Sequence, residues 1–240
     1  MNFKKIFLAC LVIFILAACA YGNVQDDFLK AIKDPNTTPE QINELISRGA
    51  NVHDNDKNGF PILAAAAKKN TNCDVIKALI DAGAEYQLEI ALTCAALSNS
   101  NPDVLKMFID KYNPDVNLIF RTAIHGNNPN AAVIKMLISA GADVNAKFGN
   151  NVTALMLAAR KNFNPEVVKV LIDGGADVNA RDIDGRTALM LAAEGNSNPE
   201  VAKVLIEGGA NVFSKSDYGE TAYSLVKNEA VKKIIESAIK

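Results

Sequence analysis

Histidine is almost missing from this chain: His53 and His125 are the only two among 240 residues. One falls in a predicted turn and the other near the end of a short predicted helix. No Ser–His–acid set and no pair of Cys or His at zinc spacing emerges from them. Neither charge sign dominates, the formal net charge being −2, so there is no electrostatic case for nucleic acid. The longest apolar run, Ile6 to Ala17, is too short for a membrane-spanning helix. Gly-Gly at 174–175 and 208–209 is not followed by the Lys-Ser/Thr of a phosphate loop. Carboxylates are scattered along the chain. These absences leave no place for a catalytic centre, a metal or a cofactor, and a non-enzymatic protein is expected.

The N-terminus has the layout of a secretory signal. Lys4 and Lys5 precede the apolar run, and small residues close it. Leu16-Ala17-Ala18-Cys19 resembles the lipobox of bacterial lipoproteins, which makes Cys19 a candidate lipid anchor. Ala18-Cys19-Ala20 and Ala20-Tyr21-Gly22 also satisfy the small-x-small rule for ordinary cleavage, so both routes stay open. Lipidation is favoured, because a Cys at the end of such a run is unusual unless it is used. The expected division is a signal over 1–18, a tether over 19–25 and a folded domain over 26–240. An exported envelope protein follows, membrane-anchored by lipid or else periplasmic or secreted. Of the other cysteines, Cys10 leaves with the signal. Export permits a Cys73–Cys94 bridge, although Cys94 aligns with the core positions Leu157 and Leu191 and Cys73 sits before a helix.

What the chain has in abundance is itself. Asn164 to Ala180 reads NPEVVKVLIDGGADVNA and returns from Asn198 as NPEVAKVLIEGGANV. Pro165 and Pro199, Gly175 and Gly209, Thr153 and Thr187 stand 34 residues apart. A period of this size implies stacked supersecondary units that bury their apolar faces against each other. Thr187 is expected to cap a short first helix over Ala188 to Ala193. Asn198 then caps a second helix with Pro199 at its first position, where the missing N–H costs nothing. That helix should bury Val201, Val204 and Leu205, and Gly209 should stop it. Closing positions at Gly49, Gly83, Asn113 and Gly141 show shortened third and fourth units, trimmed between Asp81 and Leu88 and near Asn117.

The combination D-G-x-T-A-L, Ala-Ala, V-x-K-x-L-I and G-A-D-V-N-A, repeated in register, resembles the ankyrin repeat over nearly the whole chain after the signal. Two departures stand out. Thr153-Ala154-Leu155-Met156 and Thr187-Ala188-Leu189-Met190 lack the family's histidine, and the loop Asn196-Ser197-Asn198-Pro199 is one residue longer than usual. The resemblance implies an all-α solenoid of about seven helix-turn-helix units with hairpin-like connecting loops, acting as a protein-binding scaffold. It also implies a concave binding face at the loop tips and first helices. The matching positions here are Phe60, Lys68, Lys147, Asn150, Arg160, Arg181, Ile183, Asp184, Arg186, Glu194, Asp217 and Tyr218. Mixed charge with aromatic side chains suits a protein partner, and a single unpaired chain is expected. A dedicated envelope inhibitor of the immunity type, or a module for polyanion or glycan, is the alternative.

A polyanion would be read by Lys77, Lys106, Lys135, Lys169, Lys203 and Lys232, which recur at one position of the second helices. Asp74, Asp103, Glu166 and Glu200 lie three residues before four of them. Such pairs neutralise the stripe, so a solvated face is expected instead.

Overall fold

A computed structural model describes residues 24–85, 88–161 and 164–239. The signal 1–18, the anchor candidate Cys19 and the first part of the tether lie outside the described residues. Fourteen α-helices and no strand occur among the described residues. They are α1 (24–31), α2 (Pro39–Ser47), α3 (Ile62–Lys69), α4 (Cys73–Asp81) and α5 (Leu88–Ser98) in one compact unit that ends at Asn99. The second unit starts at Ser100 and holds α6 (Pro102–Tyr112), α7 (Val116–His125), α8 (Ala131–Ser139), α9 (Ala154–Lys161) and α10 (Pro165–Asp173). It continues with α11 (Ala188–Gly195), α12 (Pro199–Glu207), α13 (Ala222–Leu225) and α14 (Glu229–Ile239). In chain order these make seven successive helix pairs, as the repeat predicts. Val24 and Gln25 are already buried in α1, so the folded part includes two residues assigned above to the tether.

Within each unit the helices form two layers. In the first unit α3 packs on α5 and α2 on α4. In the second, α7, α9, α11 and α13 stack in one layer, while α6, α8, α10, α12 and α14 stack in the other. The first helices α3, α9 and α11 are short and rich in alanine, and residues 188–193 of α11 are buried on every side. A helix buried all round must be lined by small or apolar residues, because nothing on it can reach water. The second helices bury one stripe only. In α12 this is Val201, Ala202 and Leu205, while Val204 and Ile206 stay half-buried. The expected full burial of Val204 is therefore corrected: positions i, i+1 and i+4 face inward, and i+3 lies at the edge of the stripe.

Local chemistry sets the helix ends. The side chains of Asn72, Asn101, Asn130, Asn164 and Asn198 each accept the backbone N–H two residues on, at the start of α4, α6, α8, α10 and α12. Proline occupies the first turn of α6, α10 and α12. Gly209, at φ +94°, turns the chain out of α12, with Ala210 N–H returning to Leu205 C=O at 2.9 Å. The preceding Gly208 has a different reason: a Cβ there would sit 2.8 Å from Ile172 Cδ1, so glycine lets α12 approach α10. At the trimmed third unit, Asn113 adopts the left-handed conformation (φ 47°) in place of glycine.

Long loops separate α2 from α3, α8 from α9, α10 from α11 and α12 from α13. The trimmed junctions have none. Only 82–87 lie between α4 and α5, and only 113–115 between α6 and α7. Helix replaces loop there: α5 and α6 run to 11 residues and α7 to 10. Asn117, expected near a turn, lies in the first turn of α7, which Asp115 caps.

Side-chain amides tie one repeat to the next. Asn145 Nδ2 donates to Gly175 C=O (2.9 Å), and its Oδ1 accepts from Asp177 N–H (2.8 Å). Asn179 repeats the pair with Gly209 and Asn211 at 3.0 and 2.8 Å. Gln25 does the same for Asn51 from within α1. A second row lies in the loops joining first to second helices. Asn70, Asn99, Asn128 and Asn196 are buried there. Asn70 donates to Asp34 C=O, Asn99 to Ala67 and Asn70 C=O, and Asn196 to Ala159 C=O, all within 2.7–2.9 Å. The loop Asn196-Ser197-Asn198-Pro199 thus holds a buried amide. Among the described residues, no buried side-chain nitrogen or oxygen lacks a partner, as a stable interior requires.

Candidate functional site

Each long loop ends in a tight turn before the next first helix. In the four turns a backbone N–H meets the C=O four residues on: Asp56 to Phe60 (2.7 Å), Phe148 to Val152 (2.8 Å), Asp182 to Arg186 (3.0 Å) and Ser216 to Glu220 (2.8 Å). Buried carboxylates organise two of them. Asp182 Oδ1 accepts the N–H groups of Asp184 and Arg186, and its Oδ2 takes Arg186 Nε at 3.1 Å. Asp56 accepts from Asn58 N–H and Phe60 N–H, and from Lys33 Nζ at 2.7 Å. Burial pushes the Asp56 carboxyl up, but Lys33 and the two N–H groups outweigh it and hold the carboxyl below its ordinary value. Phe148 takes the place of the carboxylate in the second of these loops, before α9. Its ring is half-buried against His125, with centroids 5.3 Å apart, and Asn150 and Asn151 adopt positive φ beside it.

In the second unit, three of these loops are bonded to one another through backbone. Ile183 N–H donates to Asn150 C=O at 2.9 Å, and Asp217 N–H to Asp184 C=O at 3.0 Å. Arg181 reaches forward to Lys215 C=O (2.9 Å) and to Asp217 Oδ1 (3.0 Å), and Tyr218 O–H lies 3.4 Å from Asp184 Oδ1. Arg186 turns inward instead. Its guanidinium meets Asp182, Asp184 (3.2 Å) and Glu194 (3.8 Å). Ile183 and Tyr218 project, at 61% and 74% exposure.

The structure thus brings together Asn150, Arg181, Ile183, Asp184, Arg186, Glu194, Asp217 and Tyr218. Within that group Arg186 and Glu194 are structural partners of each other rather than open contact residues. Lys147 and Arg160 are exposed; the Arg160 stem lies over Gly195, where a Cβ would meet its Cγ at 3.1 Å. Phe60 and Lys68 belong to the first unit. Lys68 Nζ stands 5.0 Å from the Phe60 ring centroid, and Phe60 is half-buried rather than exposed. Phe213, at 64% exposure, was not singled out from sequence. It stands where Asn145 and Asn179 tie their repeats onward, and that break in the pattern was the readable signal.

No disulfide joins Cys73 to Cys94. Cys73 is the first residue of α4, and Cys94 is buried, which pushes its thiol up. In place of a histidine, Met156 Sδ accepts Thr153 N–H at 3.4 Å. The lysine stripe is largely neutralised as expected, but two pairs run forward. Lys77, Lys203 and Lys232 meet Asp74, Glu200 and Glu229, whereas Lys106 and Lys169 meet Asp110 and Asp173. Among the described residues no group of His, Cys, Asp and Glu could hold a metal, and no helix is long and apolar enough to cross a membrane.

A family model described as ankyrin repeats (3 copies) matches residues 28–119 and again 120–223. No curated protein matches the chain.

Proposed function

The chain belongs to the ankyrin-repeat family, a family of non-enzymatic scaffolds for protein–protein interaction, and we propose that it binds a protein partner through the loop tips of its second unit. The observation that carries this reading is the pair of backbone bonds, Ile183 to Asn150 and Asp217 to Asp184. They tie three loops into one surface before any partner arrives, so less order must be created on binding. Ile183 and Tyr218 are the apolar anchors, and Arg181, Asp184 and Asp217 form the polar surround. Neutralisation of the lysine stripe weighs against a polyanion.

The partner lies outside the cytoplasm in this proposal, with residues 1–18 directing export and Cys19 carrying lipid. Several acyl chains would hold the protein firmly, where one would not. With α1 described from Val24, the short segment after Cys19 spans at most about 18 Å, at roughly 3.3–3.6 Å per residue. The first unit would then sit close to a bilayer.

A photo-crosslinking residue placed at Ile183 or Tyr218 should capture a protein in intact cells, and one placed at Lys203 on α12 should not. Equal capture at all three positions rejects the surface. Independently, Cys19→Ser should move the protein out of the membrane fraction. A wild-type protein that is soluble, with its N-terminus at Tyr21 or Asn23, rejects the anchor.

A further inference from the structure

The first unit contains an open cleft of about 340 Å³ between the turn at Phe60, the end of α3 and one face of α5. Its floor is apolar: Ile90, Cys94 and Leu97 recur at helical spacing along α5, with the Phe60 ring at one side. Ile90 is 37% exposed there. The cleft lies beside α5, the helix whose junction lacks a long loop.

The chemistry of the rim departs from the corresponding positions further along. By register Phe60 matches Arg186 and Lys68 matches Glu194, and those two form an ion pair at 3.8 Å. Lys68 also matches Arg160, which is followed one repeat on by Glu194, whereas Lys68 is followed one repeat on by Leu97. Among the described residues Lys68 makes no ion pair, its ammonium resting instead over the Phe60 ring. The cleft therefore joins apolar walls to a cation that has no carboxylate of its own. Glu89, eight residues before Leu97, lies about 12 Å along α5 at 1.5 Å per residue. It gives the far end of the cleft the opposite sign.

We propose that this cleft binds a short acidic segment of the partner protein. An aliphatic or aromatic side chain would enter between Phe60, Ile90 and Leu97, and a neighbouring carboxylate would pair with Lys68. The inference rests on the scaffold reading above and adds a second contact with a defined sequence preference. Charge complementarity sets the orientation, with the carboxylate towards Lys68 and away from Glu89. The apolar contact supplies most of the affinity, since a partly exposed ion pair contributes modestly.

The test is selection from a random peptide display library on the chain lacking residues 1–18, followed by titration of enriched synthetic peptides. Peptides with an apolar residue within two positions of Asp or Glu should be enriched. Leu97→Glu, which gives Lys68 an internal carboxylate as Glu194 does for Arg186, should weaken them at least tenfold. Lys68→Gln, a milder change at a half-exposed side chain, should weaken them about threefold to tenfold and abolish the preference for an acid. Enriched peptides that lack an acid, or that bind both variants like wild type, overturn the proposal, as does the absence of any enrichment. If the enriched peptides instead lose binding on Tyr218→Ala, the cleft fails while the loop surface survives.

Discussion

Four junctions between repeats carry a long loop, whereas those after α4 and α6 carry only six and three residues. The bonds between repeats survive the difference. Asn145 and Asn179 tie their repeats onward from loops, yet Asn117 offers the same acceptor to Asp143 N–H, at 2.8 Å, from the first turn of α7. Gln25 acts likewise from within α1. What the stack demands is an amide at one place, and loop or helix can supply it. The long loops are an addition that each unit can omit, at the cost of the surface that loop would have presented. Where the loop is omitted beside α5, a cleft is left.

The comparison makes the helices the energetic frame and the loops a dependent feature. Its severest test is Leu205→Ala in α12, a side chain with no exposure at all. The cavity should cost about 2–5 kcal/mol. Hydrogen exchange should quicken first in α11 to α14, because each repeat depends on its neighbours. Uniform quickening throughout the second unit would contradict a stack of semi-independent repeats.

Next in size is Asn196→Ala. It removes a buried donor to Ala159 C=O and the acceptor for Asn198 N–H, leaving polar groups without water, so a loss of about 1–3 kcal/mol is expected. Chemical denaturation measures it, and a change near zero would show that water replaces the amide. A smaller effect sharpens the loop–helix equivalence directly. Asn117→Ala should cost about 1 kcal/mol, and Asn145→Ala, which also removes the bond to Gly175 C=O, about 1–2 kcal/mol. A much larger loss for Asn145 would mean that the loop-borne amide has a further role.

The smallest effect is local and appears only in acid. Asp56 has a folded pKa below its ordinary value of about 3.9. Its contribution is therefore complete above that ordinary value and is lost as pH falls through the lower folded one. Amide signals of residues 54–61 should report opening of the first turn in that range by NMR. Asp56→Asn should remove the pH dependence, and a pH response that persists in the variant assigns it elsewhere.

Much of this architecture was legible as text. The step between Pro165 and Pro199, the caps at Thr187 and Asn198, the stop at Gly209 and the trimmed junctions after Asp81 and Asn113 all follow from short-range chemistry. A cap or a left-handed turn involves only residues a few positions apart, so the chain states it locally. The N-x-N spacing at Asn70, Asn99, Asn128 and Asn196 was equally visible, but its purpose was not. The amides of Asn70, Asn99 and Asn196 bond to groups 29 to 37 residues away, and nothing in a single repeat says that its neighbour's carbonyl is waiting.

The site divides the same way. The ankyrin resemblance, carried over by register, placed Phe60, Lys68, Arg181, Ile183, Arg186 and Tyr218 on the loop and first-helix face. Only the packed structure decided that Arg186 turns inward to three carboxylates while Ile183 and Tyr218 face solvent, and that Phe60 lies half-buried under Lys68. The physical reason is that period and capping are properties of one repeat. Exposure, ion pairing and the shape of a cleft depend on which side chain the adjacent repeat presents, as Leu97 beside Lys68 and Asp217 beside Arg181 make plain.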